Sequence, residues 1–183
     1  MIYPRIYLAV GLALALITAC APAGPQLGSD GQPLPLIHRI DADDTAQVRF
    51  RMLDSVNAFR RRAGAEELVL NAELIAAAAM HSRDMAVQNR PWHVGSDGSS
   101  PADRATRAGY RGTVLGETIS ETYAAELATI TAWMARADTR DVLTDASARD
   151  LGVAFHQDDS GKIWWALVTG DGGETGATTS PQG

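Results

Sequence analysis

One imidazole, one carboxylate and one large aromatic follow each other in an otherwise alanine-rich stretch. His93 lies in Trp92-His93-Val94-Gly95-Ser96-Asp97-Gly98, Glu117 in Gly116-Glu117-Thr118-Ile119, and Trp133 comes after them. An imidazole can act as a base or a metal ligand, and a carboxylate as an acid or a base. Each also has a plainer role. His93 can hydrogen-bond a loop backbone. Glu117 falls in an expected strand, where a buried carboxylate must be paired, and that favours a cleft. His81 shares a helical face with Leu74, Ala78 and Met85, the position of a core histidine with its hydrogen bonds satisfied. His156 ends an edge-like strand and His38 lies in a tether, so both read as incidental. Trp92, Trp133, Trp164 and Trp165 read as core and cleft wall. Asp97-Gly98 reads as a turn, because the further acidic residues of a calcium loop do not follow.

Nucleophilic hydrolysis finds no support. The sequence has no G-x-S-x-G elbow, no H-E-x-x-H and no S-x-x-K. His81, Ser82 and Asp84 are close along the chain, but neighbours on a helix point apart.

Four helices and three strands must position these residues. Thr45 can cap a helix with the stripe Val48, Met52, Val56, Phe59 and Ala63, stopped by Gly64. Asn71 can cap a second carrying Leu74, Ala78, His81 and Met85. Ser100-Pro101-Ala102-Asp103 is a capping sequence with proline at the first helical position, and that helix should end at Gly109. A fourth shows Tyr123, Leu127, Ile130 and Met134. Strands are expected over 114–120, 151–156 and 163–169, the last two joined by the turn Asp158-Asp159-Ser160-Gly161. Ile163 to Val168 is apolar at both alternating sets of positions, which requires cover on both sides. The fold class is therefore α+β: an α-β-α sandwich with a small antiparallel sheet covered by helices on both faces.

The chain divides into residues 1–19, a lipoprotein signal peptide; 20–40, a flexible tether; 41–171, the folded domain; and 172–183, a Gly/Thr/Ser-rich tail that reads as disordered. The apolar run from Ile6 to Ala19 suits a signal-peptide core and is too short to span a bilayer. Ile17-Thr18-Ala19-Cys20 has the small-residue pattern of a bacterial lipobox, and Cys20 is the only cysteine. An acylated Cys20 would anchor the chain, each buried methylene adding about 0.8 kcal/mol. The tether contains Pro22, Pro25, Pro33 and Pro35. No disulfide can form within the domain, so packing alone must hold it. Net charge −6 argues against nucleic acid. Lys162 is the only lysine, a compositional bias toward arginine.

From about Val56 to Asp171 the sequence resembles the bacterial branch of the CAP superfamily, the cysteine-rich secretory, antigen 5 and pathogenesis-related proteins with an SCP-like extracellular domain. The residues that carry the resemblance begin at Asn57, Arg60 and Gly64 and continue through Ala79-Met80-His81-Ser82-Arg83-Asp84-Met85-Ala86. They go on through the aromatic-His segment ending at Gly98, Arg107-Ala108-Gly109-Tyr110, Gly116-Glu117-Thr118-Ile119, Trp133, Leu151-Gly152-Val153-Ala154 and Trp164-Trp165. Thr118 stands where the family has asparagine. The resemblance implies the α-β-α sandwich and a cleft lined by two histidines and two acidic residues, or a reduced set.

On that pattern His93 matches the first histidine and Glu117 the first acid. The pattern W-x-x-S-x-x-H-R puts Arg136 at the serine and Thr139 at the second histidine, with Arg140 retained. A divalent ion needs three protein ligands even at an open site, and two remain unless Asp138 or Asp141 substitutes. Arg136 pointing into the cleft would repel a cation and could pair with Glu117. The expected ligand cleft is therefore His93, Glu117, Arg136 and Thr139, with no catalytic residue, metal or cofactor assigned.

The first functional reading is an exported, cell-envelope, membrane-tethered lipoprotein that binds a lipid, envelope component or protein partner without catalysis. The alternatives are a metal-assisted hydrolase of peptide or ester bonds in the same cleft, with His93 as ligand or base and Glu117 as acid/base, and a structural envelope protein with a vestigial cleft. The sequence does not set the oligomeric state.

Overall fold

The computed structural model describes residues 39–122 and 124–173. The expected signal peptide, Cys20, His38, Tyr123 and residues 174–183 of the tail lie outside the described residues.

Helix α1, Thr45–Ala63, buries Val48, Met52 and Val56, and Gly64 stops it in the left-handed region at φ 75°. Its Asn57 and Arg60 are buried as well, although both are polar. Asn57 exchanges two hydrogen bonds with the Leu68 backbone. Arg60 donates to the carbonyls of Glu66, Leu143, Asp145 and Ala148. Strand β1 is the two-residue Val69–Leu70. Helix α2, Ala72–Gln88, starts where the Asn71 side chain accepts the Leu74 N–H, and it buries Leu74, Ala78, His81 and Met85. Helix α3, Pro101–Arg107, carries a complete capping box between Ser100 and Asp103. It stops two residues before Gly109, which has φ 99°.

Strand β2 is Val114–Thr122, followed by α4, Glu126–Ala135, and α5, Ala137–Thr144. The buried face of α4 is Thr129, Ile130 and Trp133. Of its expected stripe, Ile130 is buried but Leu127 faces solvent. Helix α5 escapes a stripe reading because only Leu143 of it is fully buried. Strands β3, Asp150–Gln157, and β4, Ile163–Gly170, complete the chain order.

The sheet has the order β1-β3-β4-β2. β2, β4 and β3 are antiparallel, as expected, but β1 adds a short parallel pair beside β3, so the sheet is mixed. Val69 and Asn71 make that pair by donating to the Arg149 and Leu151 carbonyls. Two residues are too few to show a strand period. Along β4 the side chains alternate between two cores. Ile163, Trp165 and Leu167 join α1, α4 and α5 residues, while Trp164, Ala166 and Val168 join α2 and α3 residues. Helices therefore cover both faces. On the α2 side Gly152 lets the helix approach closely, since a Cβ there would lie 2.2 Å from the Leu74 backbone.

The boundaries shift slightly from the expected ones. Arg39, read as tether, donates to the Asp158 and Asp159 carbonyls, and the Ile40 N–H bonds Gln157. Gly172, read as tail, donates to the Tyr110 hydroxyl.

Candidate functional site

The site forms where β2, α2, α3 and the loop after α2 converge. Asn89 ends α2 at φ 51° and turns the chain into that loop. The loop is held by its own polar groups. Gly95 and Ser99 close it through the Gly95 N–H to Ser99 carbonyl bond, and Asp97 accepts the Ser99 N–H and pairs with Arg107. Asp84 on α2 accepts the Ser96 N–H. Asp97-Gly98 is thus a turn, as its sequence suggested. These bonds hold His93 over the edge of the sheet.

Glu117 reaches the same point from β2. The strand pairing with β4 is irregular between Val114 and Gly116, and an inserted residue of this kind turns the following side chains over. Glu117 then stands opposite Val168, on the α2 face. Its carboxylate is 1% exposed, and both oxygens are taken. Oε1 lies 2.9 Å from His93 Nδ1, and Oε2 accepts Arg104 Nη2 at 2.6 Å. A carboxylate accepts, so Nδ1 is the nitrogen that donates to it, and in the neutral tautomer so selected the lone pair sits on Nε2. Arg104, itself buried, also donates through Nη1 to the His93 and Ser99 carbonyls. One guanidinium on α3 therefore fixes both the acid and the loop that carries the imidazole. Sequence reasoning missed it. The only signal was its place one residue beyond the capping box, where arginine ordinarily faces water.

His81 is fully buried behind this group, as expected of a core histidine, but it is not satisfied. Neither ring nitrogen has a hydrogen-bond partner among the described residues. Nε2 lies 3.7 Å from Glu117 Oε1, and the Trp92 backbone comes near without meeting hydrogen-bond geometry. Burial lowers the His81 pKa; Arg104 also lowers it, while Glu117, the Trp92 backbone and Asp84 act in the opposite direction.

In front of His93 lies a cleft of about 550 Å³ between β2 and α4. His93, Arg136 and Thr139 line it, and Trp133 forms part of its wall. Glu117 does not line it, because its oxygens turn inward to Arg104. Arg136 corrects a second expectation. It bonds Asp138 at 2.6 Å, two residues away, instead of Glu117, and this exposed contact holds the Asp138 carboxyl down to about 2. Thr139 donates its hydroxyl to the Trp133 carbonyl. Asp141 stays exposed beside Arg140. Trp164 and Trp165 are core, whereas Trp92 is exposed under the Arg90 guanidinium and belongs to neither core nor cleft wall. The donors here do not suit a divalent cation. Glu117 is spent, two guanidinium groups stand nearby, and among the described residues no three His, Cys, Asp or Glu side chains converge.

The profile of the cysteine-rich secretory protein family, CAP, matches residues 53–168. Among solved structures, an outer surface protein of Borrelia burgdorferi superposes with a TM-score of 0.64 at 13% identity, covering 73% of this chain and 96% of that one. An SCP-domain extracellular protein of Bacillus anthracis gives 0.64 at 19% identity over 73% of this chain and 44% of that one. A cysteine-rich secretory protein of Staphylococcus aureus gives 0.57 at 12% identity over 73% and 41%. This chain thus spans less than half the length of the latter two. Among curated proteins no match is found. Among the described residues, no helix is long and apolar enough to cross a membrane.

Proposed function

Because the chain belongs to the cysteine-rich secretory protein family, we propose that it is an exported, envelope-tethered module that binds a ligand or partner in the cleft beside His93 and does no chemistry on it. One observation carries this reading. The carboxylate that would act as acid, base or ligand has both oxygens committed to Arg104 and His93 and is closed to the cleft. Freeing it would leave the Arg104 guanidinium buried without its counter-charge, an arrangement costing roughly 3–5 kcal/mol. Glu117 is then the fixed support of His93, and His93, Arg136 and Thr139 form a recognition wall. The tether is acylated Cys20; Cys20→Ser is expected to release the chain from membranes.

A second reading has one observation in its favour. An imidazole backed by a carboxylate, with Nε2 open, is the arrangement that orients a general base or a zinc ligand. Calorimetric titration of zinc into the full chain, with His93→Ala alongside, decides between the two. The binding-module reading expects no heat that depends on His93. Tight one-to-one binding abolished by His93→Ala would replace it with metal-assisted hydrolysis.

A further inference from the structure

The wall of the cleft opposite α4 is the outer edge of the sheet. Among the described residues β2 pairs only with β4, so one side of its backbone faces away from the sheet. Which residues turn outward follows from the ladder. The Arg149 N–H donates to the Gly170 carbonyl on the β3 side, so the even-numbered residues of β4 turn their backbone groups toward β3. Ile119 and Glu121 stand opposite Ala166 and Trp164, and must therefore turn theirs away from β4. Trp133 agrees, since its indole N–H donates to the Ile119 carbonyl from that outer side. Among the described residues nothing bonds the Ile119 N–H, or either backbone group of Glu121.

An open strand edge of this kind is ordinarily blocked by charge, proline or a covering element. Here the facing helix is set back. Ala128 and Ala132, one turn apart on α4, present methyl groups to the cleft where longer side chains would close it. Neighbouring strands need about 4.8 Å between them, and the cleft provides room beside Ile119–Thr122. The charges at its rim cancel in pairs: Glu121 with Lys162 at 3.2 Å and Arg136 with Asp138 at 2.6 Å. Ser120 Oγ, in the same wall, is buried with no partner among the described residues.

These features select the ligand's chemistry. We propose that the cleft takes an uncharged, extended peptide segment, which adds as a strand to the outer edge of β2. The assignment rests on the binding-module reading and gives its ligand a class. A peptide main chain offers an acceptor for the Ile119 N–H, and a donor and an acceptor for the Glu121 groups, at strand spacing. An acyl chain would bury those groups unbonded and forfeit their hydration. The neutral rim complements a neutral segment and rejects a charged one.

The test uses the full chain in phosphatidylcholine nanodiscs and two probes. One is an end-capped octapeptide library drawn from Ala, Ser, Thr and Val; the other is a photoactivatable acyl chain on the nanodisc lipid. Glu121→Pro removes the outward N–H together with the Lys162 pair and leaves the β2–β4 ladder intact. It is expected to weaken library retention about tenfold, the worth of one hydrogen bond. Glu121→Ala breaks the Lys162 pair but keeps the N–H, and should weaken it much less. In the unaltered protein, bound peptide should slow hydrogen exchange at the Ile119 amide, a readout independent of how Glu121→Pro folds. No retention with no slowing at Ile119, or equal retention by the two Glu121 variants, overturns the peptide assignment. If acyl cross-links then map to Ala132 and vanish in Ala132→Trp, the cleft binds lipid and the broader reading stands. If Ala132→Trp changes neither probe, both readings fall.

Discussion

Two arginines are buried in this domain, and their surroundings differ. Arg60 on α1 donates only to backbone carbonyls: those of Glu66, Leu143, Asp145 and Ala148. Among the described residues no carboxylate is bonded to it, and the neighbouring Asn57 has its bonds to Leu68 complete. Arg104 on α3 meets two carbonyls and the Glu117 carboxylate, and beside it both ring nitrogens of His81 are unbonded among the described residues. The first cluster is closed and ties α1 to the segment before β3. The second keeps an unsatisfied imidazole and presents His93 to a cleft. A buried polar group that is fully satisfied indicates a structural tie; one left incomplete beside a cavity indicates a site.

Removing each guanidinium is the sharpest way to break this comparison. Arg60→Met leaves several carbonyls buried without donors, and should lower unfolding free energy by roughly 3–5 kcal/mol, read from the urea midpoint. A loss under about 1 kcal/mol would mean that water replaces the guanidinium and the tie is not structural. Arg104→Met should cost somewhat less, about 3 kcal/mol, because His93 still bonds Glu117. Adding Glu117→Gln should recover part of that cost, since the orphaned charge is then gone. The same recovery by Glu117→Gln in the Arg60→Met background would contradict the assignment of Glu117 to Arg104 alone.

The smallest effect concerns His81. His81→Leu replaces an unbonded imidazole with an apolar side chain, and should change stability at pH 7 by less than about 1 kcal/mol. Its signature is pH. Burial lowers the folded-state pKa of His81 below its unfolded value near 6.5, so the unfolded chain binds the proton more readily. The stability tied to the neutral ring is complete above about pH 6.5 and is lost as pH falls below it. Urea midpoints at pH 7 and pH 5 should therefore drop further in the unaltered protein than in His81→Leu. Equal drops would show that Glu117 accepts the protonated ring without cost.

Much of the fold was legible along the chain because its signals are local. Val48, Met52 and Val56 at helical spacing, Asn71 as a cap, the Ser100–Asp103 box and the two-sided apolar run at Ile163 each declare an element within a few residues. Helix α5 and strand β1 were not, since one has a single fully buried residue and the other only two residues. At the site, His93 and Glu117 were legible as residue types in order. Their hydrogen bond was not, nor was the role of Arg104, nor the pairing of Arg136 with Asp138 in place of Glu117.

The sequence by itself determined four of the helices and three of the strands, that β4 is covered on both sides, and that an imidazole and a carboxylate stand near one cleft. Only the tertiary structure decided which way the carboxylate faces. That choice depends on an irregularity in β2 and on a guanidinium from another helix, and a buried carboxylate turns toward whichever cation the fold brings within bonding distance.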